Sequence, residues 1–316
     1  MKLFITGGAG YVGSHIALQA LVEGHQVLIY DNLSNTGKAN LSFLGSRGAT
    51  VVQGDVLDRA LLTDTMKRFR PDVVIHAAGL KDAAESEAIP FQYYKTNVDG
   101  TLTVLQAMED AGLDRLVFSS SAAVYGDSKY LLTESASVKP SSAYGKSKMM
   151  AEDLVADFAQ RGRNAITLRY FNPVAAHPLI PQYRSNTFMS TLTGAASGRN
   201  RGIVLFNNGE NVRDFIHVLD LADLHLRLGH LSGHHVFNVG TGKGYKIKDV
   251  VTLMEKISNR EITKTDCDLK RVGDIEFSVS SSVGIEQATG WKPRRSLEQM
   301  CRDAWEVETL RLSSER

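Results

Sequence analysis

Cysteine is almost missing from these 316 residues: there are two, Cys267 and Cys301. Two thiols so far apart point to free side chains in a reduced compartment, hence the cytoplasm, and away from a disulfide framework or a metal site. Charge of one sign is missing as well. The 36 Lys and Arg against 35 Asp and Glu leave a formal net charge of +1. No global field therefore recruits nucleic acid or a membrane surface, although a local basic pocket for phosphate stays open. Long apolar runs are absent, and the start, Met1 to Thr6, is too short for a signal peptide. Repeats, low-complexity tracts and long linkers are absent too. What remains is an ordinary globular composition, 43% hydrophobic and 22% charged. The length suffices for a large doubly wound domain with a smaller one appended.

The first half alternates short apolar runs with longer amphipathic ones. Strands are expected at Leu3–Thr6, Gln26–Tyr30, Thr50–Gln53, Asp72–His76, Arg115–Ser119 and Ala165–Arg169. Helices are expected at Val12–Glu23, Asp58–Phe69, Ile89–Ala111 (mostly one long helix) and Ala143–Arg161. Apolar strands separated by helices predict a Rossmann-type α/β fold, an open doubly wound parallel sheet covered on both faces. The pattern loosens after Tyr170, and His177 to Pro181 reads as a loop. The expected organisation is residues 1–170 as a dinucleotide domain and 171–316 mainly as a smaller α/β substrate domain. A strand near 236–239 returns, on this reading, to the first.

Gly7, Gly10 and Gly13 lie between the first strand and the first helix. Gly7 permits a tight turn, Gly10 lets the backbone approach a pyrophosphate, and Gly13 allows close helix–sheet packing. Taken alone, this spacing also fits a turn that serves packing only. Context strengthens it. Asp31 ends the second strand, where a carboxylate accepts both ribose hydroxyls and repels a 2′-phosphate, favouring NAD over NADP. Asp55 follows the third strand and can hold the adenine amino group. Ala77, Ala78 and Gly79 follow the fourth and suit a backbone lying against the cofactor.

Tyr144 and Lys148 stand four residues apart at a helix start, on one face. For a tyrosine to act as a base near neutral pH, its pKa of about 10 has to fall to near 7, a change of about 4 kcal/mol. A neighbouring ammonium and a cationic nicotinamide ring provide the right sign of field. A surface lysine on an amphipathic helix is the plainer alternative. Ser119, Ser120 and Ser121 follow the fifth strand at the edge where such folds bind ligands; a hydroxyl there can bridge a substrate hydroxyl and Tyr144. Glycine turn, Asp31, strand-end serine, Tyr144 and Lys148, in that order, form the informative set.

That set resembles the extended short-chain dehydrogenase/reductases, and within them the UDP-glucose 4-epimerases of the NAD-dependent epimerase/dehydratase family. The resemblance runs over nearly the whole chain. It is carried by Thr6–Ser14, Asp31–Ser34, Ala78–Lys81, Ser119–Gly126, Ser142–Lys148, Arg169–Pro173, Val212–His217, Arg271–Asp274 and Gly290–Pro293. It implies reversible C4 epimerisation of a UDP-hexose through a transient 4-keto sugar, with NAD bound throughout. Tyr144 would be the general base, Lys148 would hold the nicotinamide ribose and lower the tyrosine's pKa, and Ser121 would bond the sugar O4. Further cofactor contacts are implied at Tyr11, Val12, Asn32, Val56, Lys81, Asn97, Ser119 and Tyr170. Phe171 and Asn172 would border the substrate, Arg213 and Arg271 would meet the diphosphate, and Asp274 the uridine ribose. Guanidinium forks suit that task. A homodimer is implied through the helices 89–111 and 143–161, where Met149, Met150 and Leu154 look exposed.

Two departures carry information. Ala122 and Ala123 stand where related dehydratases carry acidic residues, which argues against water elimination. Ser278 stands where epimerases confined to glucose and galactose resemble one another in carrying a bulky tyrosine. The small residue predicts room for an N-acetyl group at C2. The stretch Leu179–Met189, with Asn186 followed by Thr187, and the loop Asn207–Asn211 are short for the family, which leaves the uracil contacts open. A nucleotide-sugar 4-reductase and a non-catalytic NAD-sensing protein remain alternatives; the first consumes NADH, and the second has no need of Tyr144 and Lys148.

Overall fold

The computed structural model describes residues 1–35, 38–181, 187–269 and 274–314. Along the first half run β1 (Lys2–Thr6), α1 (Tyr11–Val22), β2 (Gln26–Asp31), α2 (Lys38–Ser46), β3 (Thr50–Gln53), α3 (Arg59–Phe69), β4 (Val73–His76), α4 (Ala83–Ala88) and α5 (Pro90–Tyr94). Then come α6 (Gly100–Asp110), β5 (Arg115–Ser121), α7 (Ala143–Gln160) and β6 (Asn164–Tyr170). Later elements are β7 (Pro173–Val174), α8 (Phe188–Ala196), β8 (Ile203–Phe206), β9 (Val212–Asp214), β10 (Ile216–His217), α9 (Val218–Arg227), β11 (His234–Val239), β12 (Gly244–Lys246), α10 (Ile247–Ser258), β13 (Lys264–Cys267), β14 (Phe277–Ser278), α11 (Val283–Thr289) and α12 (Leu297–Ser314).

Seven strands form one sheet in the order β11-β6-β5-β4-β1-β2-β3, with every neighbouring pair parallel. The order reverses between β1 and β4, the switch point at which open α/β sheets have their ligand crevice, at the carboxyl ends of the strands. This is the Rossmann-type sheet the sequence pattern predicts. Alternation along each strand explains its two covers. Leu3 and Ile5 of β1 face the layer of α1 and α9, meeting Ile16, Ala17, Leu221 and Leu224. Phe4 points the other way, toward Leu62 of α3, Val104 and Met108 of α6, and Val155 and Phe158 of α7. Helix α1 carries no acid or lysine (YVGSHIALQALV) because it lies between the sheet and α9; a helix apolar all round is a buried helix.

The expected long helix from Ile89 to Ala111 is divided. Between α5 and α6 the chain makes one π turn, Lys95–Asp99. The extra residue rotates Asn97 inward, where it is buried, and such π turns recur at functional sites. Of the residues read as exposed on α7, Met150 is 42% accessible, whereas Leu154 packs against the core and Met149 against a small cluster that includes Phe171.

Beyond Tyr170 the strands shorten. β7 pairs with β10, β8 with β13, and β9 lies between β12 and β14. These pieces pack with α8, α10 and α12 around a separate core that includes Met189, Leu192, Val250, Met254 and Met300. The chain also returns to the large sheet, since β11 lies in parallel register beside β6 from His234↔Ala165 to Val239↔Tyr170. Among the described residues, no helix is long and apolar enough to cross a membrane, and no group of three or more His, Cys, Asp or Glu is arranged to hold a metal ion.

Candidate active site

The glycine turn sits at the crevice. Gly7 adopts φ +66°, and its N–H donates to the Tyr30 carbonyl at 2.8 Å. A Cβ on Gly7 would lie 2.6 Å from the Ala78 nitrogen, and one on Gly13 would lie 2.2 Å from the Gly7 carbonyl oxygen. Nothing larger fits either place. Helix α1 starts after Gly10 with no side chain capping it, so Tyr11, Val12 and Gly13 open a helix N-terminus suited to an anion. Asp31, at the end of β2, accepts from the Ala9 N–H at 3.0 Å and from the Leu33 N–H at 2.8 Å. Each carboxylate oxygen keeps capacity for a further donor. Asn32 donates to Asp55 at 2.8 Å, and Asp55 also accepts from the Leu57 N–H at 2.9 Å; Val56 is buried beside them. The Ala77 N–H donates to the Thr6 carbonyl at 3.1 Å, which ties the turn after β4 to the end of β1. A cradle that excludes Cβ atoms, an uncapped helix start and a carboxylate one strand over fit a dinucleotide.

Asn97 is spent on the protein itself. Its Oδ1 accepts from the Leu80 N–H at 2.8 Å, and its Nδ2 donates to the Leu80 carbonyl at 3.0 Å and to Ser147 Oγ at 2.9 Å. It clamps the Gly79–Lys81 turn to α7. Lys81 places its ammonium over the Tyr11 ring, 5.2 Å from the centroid.

The residues that the sequence reading assigns to the reaction come from α7 and β5. Ser142 caps α7 by accepting from the Gly145 N–H at 3.1 Å, and Tyr144 and Lys148 follow one turn apart. The Tyr144 hydroxyl is hydrogen-bonded to Ser121, while burial pushes its pKa above the ordinary tyrosine value and that bond pulls it back. Lys148 is buried, donates to the Ser119 carbonyl at 2.8 Å and lies 5.0 Å from the centroid of the Phe118 ring. Loss of solvent pushes its pKa down to about 8, and the charge on Glu152 works against that fall. Tyr170 meets Ser119 Oγ at 2.9 Å and His225 Nε2 at 2.8 Å. Burial holds His225 neutral, down to about 4, and its Nδ1 sits 2.8 Å from the Leu221 carbonyl. Nδ1 therefore carries the proton, which leaves Nε2 as the ring's acceptor.

On the other side of the crevice, Arg213 of β9 pairs with Asp274 at 2.5 Å, and Asp274 also accepts from Asn211 Nδ2 at 2.6 Å. Ser278 of β14 stands in register with Arg213 and is buried. Asn172, at φ +23°, donates to the Asp214 carbonyl at 2.8 Å. Phe171 is wholly buried among Ala122, Val124, Tyr125 and Leu132. Arg271 and Asn186 lie outside the described residues. Asp214, which the sequence reading passed over, organises this side. Wholly buried, its carboxylate accepts from the Thr241 N–H and hydroxyl at 2.8 and 2.6 Å, the Gly242 N–H at 2.9 Å, and the Ser280 N–H and hydroxyl at 3.2 and 2.6 Å. His225 and Glu152 also escaped that reading, because an ionisable residue inside an amphipathic run looks like part of a solvated face.

Residues 3–240 match the model of the NAD dependent epimerase/dehydratase family. The chain is 38% identical over 330 residues to a UDP-glucose 4-epimerase of Yersinia enterocolitica, covering 98% of each chain. Among solved structures, a UDP-glucose-4-epimerase of Stenotrophomonas maltophila with bound NAD and formylated UDP-arabinopyranose superposes with a TM-score of 0.93 at 34% identity, covering 100% of both chains. The UDP-glucose 4-epimerase of Bifidobacterium longum in complex with NAD+ and UDP gives 0.93 at 31% identity, covering 98% of both.

Proposed function

The chain belongs to the NAD dependent epimerase/dehydratase family, and on that premise we propose that it interconverts the C4 stereoisomers of a UDP-hexose with NAD held in the crevice. The observation that carries this reading is the convergence of Tyr144, Ser121 and Lys148 on one sheet edge beside the glycine turn. Residues 1–170, with β11, hold the dinucleotide, and the remainder of 171–316 holds the UDP-sugar.

The first turn of α1 takes the pyrophosphate, Asp31 the adenine-side ribose hydroxyls, and Asn32, Asp55 and Val56 border the adenine. Ala77, Ala78, Gly79, Lys81 and Tyr170 line the nicotinamide end, where Ser119 and Lys148 hold the ribose. When bound, the dinucleotide supplies a reversible store for the C4 hydrogen. The chain's own residues handle the proton. Ser121 holds the substrate O4 against Tyr144, and Tyr144 takes the O4 proton and later returns it to the same atom. Because burial raises the Tyr144 pKa in the chain alone, the opposing pull has to come from positive charge at the occupied site. Ala122 and Ala123 provide no acid for elimination. Arg213, Asp274 and Arg271 anchor the diphosphate and ribose while the sugar turns over, with Asn172 and Phe171 supporting the sugar side.

The small Ser278 leaves room for an N-acetyl substituent, so UDP-N-acetylhexosamines join UDP-glucose and UDP-galactose as substrates. Exposed Phe91, Leu102 and Met150 on α5, α6 and α7 support a homodimer, and two free thiols support a cytoplasmic setting. The test is incubation of the purified protein with UDP-galactose and with UDP-N-acetylgalactosamine, without added reductant. Interconversion at C4 with no net NADH consumption is the expected result. Net oxidation of NADH would make the protein a reductase, and an inert protein that still binds NAD would make it a sensor.

A further inference from the structure

A buried polar brace runs behind the reacting groups and none of its links has a role in the chemistry above. Ser120, between Ser119 and Ser121 on β5, donates its hydroxyl to Glu152. Glu152 lies one turn beyond Lys148 on α7. Arg169, next to the end of β6, grips both oxygens of that carboxylate, with Nε at 3.0 and 3.1 Å and Nη2 at 2.6 Å. The two side chains are only 7% and 10% accessible. From Arg169 the brace continues to the Tyr125 hydroxyl at 2.8 Å and stacks on its ring at 4.8 Å. Tyr125 donates to Asn238 of β11 at 2.7 Å, and Asn238 Nδ2 donates to the Leu132 carbonyl at 2.9 Å.

A buried ion pair is a poor way to gain stability, since apolar residues of similar volume pack there without the desolvation cost. Its position provides a better reason. Ser120 reaches Glu152 of α7, while Ser119 Oγ meets Tyr170 and Ser121 meets the Tyr144 hydroxyl at the strand end. Three links of the brace border residues of the proposed site along the chain: Ser120 lies between the strand-end serines, Glu152 one turn beyond Lys148, and Arg169 directly before Tyr170. We propose that Glu152, gripped by Arg169 and Ser120, is a positioning residue of the reaction. It locks the strand end carrying Ser119 and Ser121 to the helix carrying Tyr144 and Lys148, and it sets negative charge beside the Lys148 ammonium. This inference rests on the reading of Tyr144, Lys148 and Ser121 as the reacting set.

Glu152 from α7 and His76 from β4 are the charged or titratable groups that interact with Lys148 directly; Arg169 of β6 reaches it through Glu152, and Tyr170 of β6 shares Ser119 with it. Burial keeps His76 neutral, down to about 3, and Tyr170 protonated. Glu152→Gln leaves a side chain of the same shape and frees the Arg169 charge, and both changes favour loss of the Lys148 proton. The alkaline limb of kcat then moves to lower pH, because the ammonium survives only to a lower pH.

The expected result for Glu152→Gln is a kcat about tenfold lower well above pH 8, the equivalent of one pKa unit, and only about twofold lower near neutral pH, with KM unchanged. NMR titration of 15Nζ-lysine should show the Lys148 midpoint falling in parallel. An unmoved midpoint together with an unmoved alkaline limb overturns the proposal. Should that variant fold poorly, Ser120→Ala tests the same brace with the ion pair intact. Its kcat should fall with KM unchanged and return in Ser120→Thr; an unchanged kcat overturns the proposal. An unaltered protein that turns over no UDP-hexose would count against the reading of the site, whereas the Lys148 midpoint still decides the brace.

Discussion

The two sides of the crevice place their polar side chains by different means. On the side proposed to hold the dinucleotide, Asp31, Ser119 and Ser121 sit at or near the ends of long parallel strands whose faces are both buried. The hydrogen-bond ladder fixes their height and the hydrophobic pattern fixes their direction, so a one-residue slip would turn a whole strand inside out. On the side proposed to hold the sugar nucleotide, Arg213 and Ser278 sit on strands of three and two residues. Such strands specify little by themselves. Asp214 gathers β9, the 240–242 turn and Ser280 through five hydrogen bonds, and thereby does for this side what the ladder does for the other. Continuous sheet gives placement through apolar periodicity; fragments of sheet need a polar hub.

The largest expected effect separates chemistry from scaffold. Tyr144→Phe should lower kcat by about a thousandfold, within the usual range for a lost acid–base group, while the thermal midpoint and the bound dinucleotide stay unchanged. Retained epimerisation in a coupled UDP-galactose assay would remove tyrosine from the base role. Next is the hub. Asp214→Ala strands several buried donors and should cost about 3 kcal/mol in urea unfolding, with KM for the UDP-sugar raised and NAD still bound; an unchanged KM would break the contrast drawn between the two sides. Asp31→Ala is its mirror. Dinucleotide affinity should fall roughly tenfold to a hundredfold, the range for hydrogen bonds to a charged group, with UDP binding by calorimetry unaffected. Smallest is Ser278→Tyr, which should suppress turnover of the N-acetyl substrate by about tenfold, around 1.4 kcal/mol, and spare UDP-galactose. Equal effects on both sugars would show that Ser278 does not border C2.

Legibility in the sequence follows the same division. The alternation of apolar runs revealed the parallel sheet. The turn Gly7–Gly13, Asp31 and the Tyr144–Lys148 pair stood out because their geometry is local: a fixed number of residues along a turn or a helix. The π turn at Lys95–Asp99 was invisible, since a single slipped turn hardly disturbs the periodicity of the flanking α5 and α6. Asp214, Glu152 and His225 were invisible for another reason. Their partners lie far along the chain (Asp214 with Ser280, Glu152 with Arg169, His225 with Tyr170), and nothing in the neighbouring residues announces a buried ionisable group. The short strands β7, β9 and β14 were likewise too brief for any period to show.

The return of β11 to the large sheet has a consequence for anyone wishing to cut the protein in two. A fragment ending at Tyr170 would keep the glycine turn, Asp31, Tyr144 and Lys148, yet it would leave β6 as a bare outer strand. From Ala165 to Tyr170 that strand is almost wholly enclosed in the intact chain. Freed, its unpaired amides and carbonyls would offer a template for adhesion to other copies. Excising the first half at its apparent boundary is therefore expected to yield an aggregation-prone piece, and a workable truncation has to carry the chain through Val239.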